Sequence, residues 1–500
     1  MIVLYKYEGD VTMAVVIRWL SAIMAVLLGL PTLIGAVFQS LTKIGFDERP
    51  TTAIAENFLE GNATFIDEAE SDYWSAGYAR RVLTPEDIED TRYFLGGFLK
   101  FPAQEATGVV DDLCVRAVVL DDNSGRGAAA FAWIDAVGFM NADIKEIREK
   151  LSDITGEGKL ISIDVGSTHN HSAVDTQGLW GNIPKSGRNP DYINAVIEKT
   201  ADAIREAYEN RTQGNLYYSS KSCPELFHDG RAPYSIDESI HLFRFVPNDK
   251  SKKEIYITNF GGHPINLAWE NSELSGDYPY YIEQAVTAAK NVDFIFIQGA
   301  IGGAVHCNMG THNGIPEELS SFEKMKEYSL IVADILYELA AKGEAVEPIL
   351  NVRHAQLDFE VNNFVFLLAA SADLCNVKAF KENGKIYLTS EIGYVEIGKN
   401  IKILETPGEA LPELIYGGFY SAEEAFNGTE YPYEGIATRF DEDDEVLVFG
   451  LCNDAVGYIV PDNDYSSSGK EGHYEETVST GSKSGTAFSE AFFKLLDVWG

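Results

Sequence analysis

Five hundred residues, 45% hydrophobic and 23% charged, describe a globular chain large enough for one big catalytic unit with appendages. The balance of 39 Lys and Arg against 77 Asp and Glu leaves a net charge of −38, a surface that repels phosphate backbones and anionic lipid headgroups, so nucleic acid is not an expected partner. Cys114, Cys223, Cys307, Cys375 and Cys452 are scattered without C-x-x-C spacing, which argues against a disulfide framework or zinc ribbon and leaves room for one or two bridges.

In chain order, the first feature is Trp19 to Phe38, 20 residues without a charge behind Arg18, long enough to cross a bilayer as a helix. A cleaved signal peptide starting at Met13 is the competing reading; no small-x-small cleavage site follows, so residues 1–45 are expected to form an N-terminal anchor that makes the membrane a partner. Lys6 and Arg18 before the run and Lys43 and Arg49 after it leave the orientation open, and an extracytoplasmic placement of the remainder is expected. Residues 46–75 carry eight acidic side chains against Arg49, the composition of a tether, and residues 76–500 show no repeat or linker and read as one unit. Within it, apolar runs predict strands over 113–121, 128–135, 159–165, 239–246, 254–259 and 293–298, while periodicity predicts helices over 142–153, 191–209, 278–290 and 318–342. Further runs at 351–359, 363–369, 393–404 and 445–452 make the last third richer in strand, before a closing helix near 485–498. This alternation implies an α/β fold with a large layered mixed sheet.

Four segments carry chemistry-bearing side chains. Thr168-His169-Asn170-His171-Ser172 follows the apolar run Leu160 to Val165, and on an extended backbone residues two apart face the same side, so both imidazoles are expected to converge. Two such histidines form either a polar strand end or part of a metal site, neutral imidazole being the commonest protein metal ligand. His263 follows the strand 254–259 through Gly261 and Gly262, as a ligand or a solvated turn residue. Pro407-Gly408-Glu409 is expected to open a short helix with Glu409 in its first turn, where a carboxylate is comfortable and also rigidly held. Tyr458, in Asn453 to Tyr458, is by itself a half-buried core tyrosine.

Taken in order, these segments resemble the neutral/alkaline ceramidase family. The family's Thr-His-Thr-His-Ser-Gly is similar to Thr168 to Ser172, and its histidine loop followed by Ser-Gly-Asp to His263 with Ser275-Gly276-Asp277. Its Pro-Gly-Glu is similar to Pro407 to Glu409, and its Asn-x-x-x-Gly/His-Tyr to Asn453 to Tyr458. Ala76 to Ala79, Leu83-Thr84-Pro85 and Leu95-Gly96-Gly97 extend the match, so that it spans roughly 76–498. The resemblance implies a zinc ion held by His169, His263, Glu409 and Tyr458, with His171 as proton acceptor or orienting group. It further implies that Arg231 holds an oxyanion and that Tyr474 assists at the carbonyl. Tyrosine is an uncommon ligand because its proton leaves only near pH 10 in water, and a bound cation lowers that value.

The sequence departs from the family in three places. Where the family has the serine of Gly-Asp-x-Ser-Pro-Asn, this chain reads Gly299 to Asn308 without one; after Ser172 it has Ala173-Val174-Asp175-Thr176 instead of Gly-Pro-Gly-Gly; and the family's immunoglobulin-like C-terminal domain has no counterpart. His306, Cys307 and His312 stand in the altered loop as an extra metal or thiol centre or as incidental polar residues. The expected function is zinc-dependent hydrolysis of an amide bond in an N-acyl lipid or related small molecule. The alternatives are a membrane-tethered binding homologue without turnover and a zinc hydrolase acting on an ester.

Overall fold

The computed structural model describes residues 46–50, 56–182, 185–267, 269–372, 374–467 and 472–497; the expected N-terminal anchor lies outside them. No helix among the described residues is long and apolar enough to cross a membrane.

The first half of the fold is one strand-helix pattern used twice. Three antiparallel strands, β1 (Trp74–Val82), β2 (Cys114–Asp121) and β3 (Ala128–Ile134), lead through helix α1 (Asn141–Lys150) to β4 (Leu160–Ser167), parallel to β3, and then to α2 (Pro190–Glu209). The same order returns in β5 (Thr212–Ser222), β6 (Ser239–Pro247), β7 (Glu254–Phe260), α3 (Asp277–Ala289), β8 (Val292–Gln298) and α4 (Ser321–Lys342), with β8 parallel to β7. The halves join where β1 meets β5 antiparallel, Trp74 opposite Gly214. The sheet order is thus β8-β7-β6-β5-β1-β2-β3-β4, with a short strand at 344–346 also pairing β5. No repeat is legible in the residues; the duplication lives in the topology, because burial constrains polarity at each position and not residue identity.

A second sheet follows the same opening: β9 (Leu350–Glu360), β10 (Lys385–Ile397) and β11 (Ile401–Glu405) are antiparallel neighbours. Helix α5 (Phe364–Ser371) is inserted between β9 and β10. A crossover containing the one-turn helix α6 (Glu413–Tyr416) then leads to β12 (Glu445–Phe449), parallel to β11, and α7 (Ser484–Asp497) closes the chain. The two sheets face each other across Phe131, Trp133, Phe243, Ile257, Ile295, Val352, Ile403 and Phe449. Helices α1 and α2 cover the outer face of one half of the large sheet, α3 and α4 that of the other, and α7 the outer face of the small sheet. Strands β3 and β4 are buried at every residue because both their faces are covered, and β3 reads as an unbroken apolar run of Ala, Phe, Trp and Ile.

The large sheet curls until its two edges approach at their carboxyl ends. Gln298 Nε2 at the end of β8 donates to Thr168 O just beyond β4 at 2.8 Å. The turn after β12 fits between them, Gly450 N donating to Gln298 O at 2.7 Å and Ser167 N to Leu451 O at 3.2 Å. Carboxyl ends of parallel strands are where open α/β sheets place their sites, and here three parallel pairs point at one region.

Two sequence expectations are corrected. The apolar run 363–369 forms α5 instead of a strand, because Asn363 Oδ1 accepts from Val365 N and caps a helix. The acidic segment 46–75, expected as a tether, packs in part against the second sheet, with Glu48 bridged to Lys381 and Gly61 to Arg353 on β9, and its last residues open β1 at Trp74. Asn62 N donates to Val352 O at 2.7 Å while Val352 N donates to Asn62 Oδ1 at 2.8 Å, and Arg49 pairs with Asp358 and Glu382. All five cysteines are buried.

Candidate metal centre

β4 releases the chain at Ser167, and the next residues bond to two different segments: Thr168 N to Ile134 O and Asn170 N to Ala136 O at the end of β3, and His171 N to Pro264 O. His169 therefore takes a left-handed backbone with φ +64°, in place of the extended pair expected from the sequence. The rings still meet: His169 and His171 have centroids 4.8 Å apart, and His169 and His263 likewise 4.8 Å.

Backbone carbonyls fix the direction of both proposed nitrogen ligands. His169 Nδ1 donates to Val137 O at 2.7 Å, and His263 Nδ1 to Val305 O at 2.5 Å. A carbonyl only accepts, so in each neutral ring Nε2 carries the lone pair. Burial, assisted by His263 and opposed by Glu409, pushes His169 down to about 4, which keeps it neutral at pH 7.

Glu409 comes from the crossover between β11 and β12, though not from a helix start. Glu409–Ala410 pairs in parallel with Tyr458–Ile459, and α6 begins only at Glu413. Gly408 allows this pairing, since a Cβ there would stand 2.4 Å from Gly457 O. The Pro-Gly signal thus marks a close approach of two backbones, and it brings Glu409 and Tyr458 side by side.

The donor atoms converge. Glu409 Oε2 lies 3.2 Å from His263 Nε2 and 3.5 Å from His169 Nε2, and the Tyr458 hydroxyl lies 3.4 Å from His263 Nε2. Tetrahedral zinc with bonds of about 2.0–2.1 Å separates its ligand atoms by about 3.3–3.4 Å, so the spacing suits the ion. It suits hydrogen bonding poorly, because lone pairs on both Nε2 atoms face a carboxylate oxygen that can only accept. Two nitrogens, a carboxylate and a phenol form a donor set that zinc accepts. Burial resists ionisation of Glu409, but His169 first, then His263 and the Tyr458 hydroxyl, outweigh it and hold the carboxyl below its usual range. Burial, and then the Glu409 charge, pushes the Tyr458 phenol well above its ordinary value. A cation among these groups reverses that cost.

A second buried triad, Asp164–His354–Glu405, shows the contrast. His354 Nε2 stands 2.9 Å from both Asp164 Oδ1 and Glu405 Oε2, while its Nδ1 donates to Leu59 O at 3.0 Å. These are hydrogen-bond lengths around a doubly protonated ring. The first triad fits a metal and the second fits a proton.

His171 occupies the remaining side. Its centroid is 6.0 Å from that of His263, and both its nitrogens are buried with no hydrogen-bond partner among the described residues. Phe98 packs edge-on against it at 4.8 Å, and Gly97, at φ +102°, leaves its space, since a Cβ there would stand 2.3 Å from His171 Cγ. Burial and then the neighbouring imidazoles hold His171 well below its ordinary value.

Arg231 meets carboxylates, and Tyr474 meets Tyr458. The Arg231 guanidinium is taken up by carboxylates, with Asp464 at 3.0 Å, Glu475 at 3.1 Å and Glu476 at 3.1 Å. It fixes the segment that carries Tyr474, whose hydroxyl is 2.9 Å from that of Tyr458 and whose side chain is half exposed. His306 packs on His228 at 4.8 Å, Cys307 is buried with its thiol pushed up to about 12, and exposed His312 bonds to Glu225 O. Among the described residues these three do not gather into a ligand group. Sequence reasoning missed Gln298, which joins the His169 and His263 loops through Thr168 O and Gly262 O. Its position at the end of a buried strand was the available signal.

No protein-family model and no curated protein matches the chain. Among solved structures, neutral ceramidase from Pseudomonas aeruginosa superposes with a TM-score of 0.65 at 16% identity, covering 85% of this chain and 74% of that one. A ceramidase complexed with C2 superposes with a TM-score of 0.66 at 16% identity, covering 85% and 75%. The chain has a neutral ceramidase-like fold.

Proposed function

We propose that the protein is a zinc-dependent hydrolase of an amide bond in an N-acyl lipid, ceramide being the nearest model substrate. The observation that carries the metal is the aim of two Nε2 lone pairs, 3.2 and 3.5 Å from Glu409 Oε2, with the Tyr458 hydroxyl alongside. His169, His263, Glu409 and Tyr458 would hold the ion. Zinc bound there supplies Lewis-acid polarisation of the amide carbonyl and a water acidic near neutrality. His171, with two unpartnered nitrogens facing the same space, takes up a proton at its imidazole and returns it to the leaving amine. The Tyr474 hydroxyl, hydrogen-bonded to Tyr458, donates toward the carbonyl oxygen, and Arg231 keeps that tyrosine in place through Glu475 and Glu476.

Exposed apolar side chains around the site favour a lipid. Leu99, Phe101 and Trp269 stand exposed, and Phe98, 5.3 Å from Trp269, links that ring to His171. Across the site, exposed Val365 and Leu368 of α5 sit beside the Tyr474 segment, to which Asn363 Nδ2 bonds through Glu476 O at 2.8 Å. A rim of this kind suits acyl chains, while the net charge of −38 disfavours anionic headgroups.

The test is hydrolysis of short- and long-chain N-acyl amides, the latter in neutral phosphatidylcholine vesicles. Turnover of long-chain amides that is lost in Glu409→Ala is expected; no turnover by the zinc-loaded protein, or turnover that survives Glu409→Ala, refutes the proposal and favours a non-catalytic binder. Replacing Leu99 and Phe101 together by serine is expected to raise KM for the vesicle-borne amide by about tenfold or more, since each loses apolar burial worth about 1.5–3 kcal/mol. Turnover of a soluble short-chain amide should stay within about twofold, because neither residue touches the donor atoms.

A further inference from the structure

Three segments that carry proposed zinc ligands are tied together behind the site by a buried polar cluster around Asp164 and His354. Asp164 lies on β4 ahead of His169, Glu405 ends β11 ahead of Glu409, and Asn453 follows β12 ahead of Tyr458. His354, on β9, reaches Asp164 and Glu405 at 2.9 Å each. Asn453 Nδ2 donates to the same Asp164 Oδ1 at 2.9 Å, while Val165 N donates to Asn453 Oδ1 at 3.1 Å. Ser162 Oγ also donates to Asp164. All these side chains are buried, and Gly393 leaves the room they need, since a Cβ there would stand 1.9 Å from Glu405 Oε2.

The ring is charged. Burial alone would lower its pKa, but the Asp164 charge and the hydrogen bonds to Asp164 and Glu405 raise it to about 10. Its Nδ1–H is also occupied, on Leu59 O. A neutral side chain in its place leaves two carboxylates facing one another in a buried, weakly screened space, and repulsion pushes β4 and β11 apart.

We propose that His354 is a positioning residue whose imidazolium clamps β4 to β11, and through Asp164 the Asn453 turn, in the arrangement that brings His169, Glu409 and Tyr458 within reach of one ion. It touches neither ion nor substrate. This inference rests on the zinc reading of the site above.

The experiment measures zinc affinity of the full chain by competition with a chromophoric chelator, beside thermal melting. Glu-to-Gln and His-to-Gln changes remove charge at nearly constant shape, so His354→Gln is expected to weaken zinc by about 10–100-fold, the usual cost of losing a group that orients metal ligands. Adding Glu405→Gln removes the repulsion and is expected to return affinity to within about threefold of the parent. Leu336→Ala, a cavity in α4 on the far face of the large sheet, lowers melting temperature and is expected to leave zinc affinity unchanged. A merely structural role would make affinity follow melting temperature in all variants, which overturns the clamp. Unchanged zinc affinity in His354→Gln beside a zinc-binding parent also overturns it, without touching the zinc reading; a parent that binds no zinc overturns both. Should His354→Gln fail to fold, Glu405→Gln alone carries the test, weakening zinc if the clamp holds and leaving it unchanged if it does not.

Discussion

Replacing His169 by alanine is expected to abolish zinc binding and to lower amide turnover by about a thousandfold or more, equivalent to roughly 4 kcal/mol of transition-state stabilisation. The fold is expected to survive, because the ring's one protein hydrogen bond is to Val137 O and its lone pair faces Glu409 Oε2, an acceptor. Removing it leaves Val137 O short of one donor, a cost of about 1–3 kcal/mol, against relief of a repulsive contact. Metal content by mass spectrometry and melting by circular dichroism check the two halves separately. Retained zinc at about one per chain in His169→Ala would place the ion elsewhere.

Replacing His171 by alanine is expected to separate chemistry from metal binding. Zinc should remain, while kcat falls by about 10²–10⁴, the range for loss of a general acid or base. The reason is geometric: His171 shares the space of His169 and His263, yet its nitrogens have no partner among the described residues. Gly97→Ala should act in the same direction, because its Cβ would collide with the His171 ring and its φ of +102° is strained for alanine. Steady-state kinetics on a soluble short-chain amide reads both variants. Activity of His171→Ala within about threefold of the parent would reduce the ring to a packing partner of Phe98.

Much of the fold was legible because buried strands and amphipathic helices leave periodic traces. The strand 159–165 and helix 191–209 expectations lie within two residues of β4 and α2. β5 was not legible: Tyr217, Tyr218, Ser219 and Ser220 are only half buried, and their pairing to β6 is what makes the strand. The four proposed ligand residues stood out through the order of their motifs, and the structure brings His169, His263, Glu409 and Tyr458 together. Their local backbones were not legible, since the positive φ of His169 and the pairing of Glu409 with Tyr458 depend on segments distant in sequence. Arg231 shows the same limit from the other side. Its charge was visible, but the three carboxylates that occupy it come from the segment near Tyr474 and only meet it in the fold. His354 gave no signal at all, though Asp164 inside an apolar strand was a buried charge waiting for a partner.

The most direct test of the central claim is an anomalous difference map, recorded at the zinc absorption edge from crystals of the zinc-loaded protein. The account predicts one peak among His169 Nε2, His263 Nε2, the Glu409 carboxylate and the Tyr458 hydroxyl, at bonding distances of about 2.0–2.2 Å, and none beside His354. A map without that peak, or with zinc at Asp164, His354 and Glu405 instead, would contradict it.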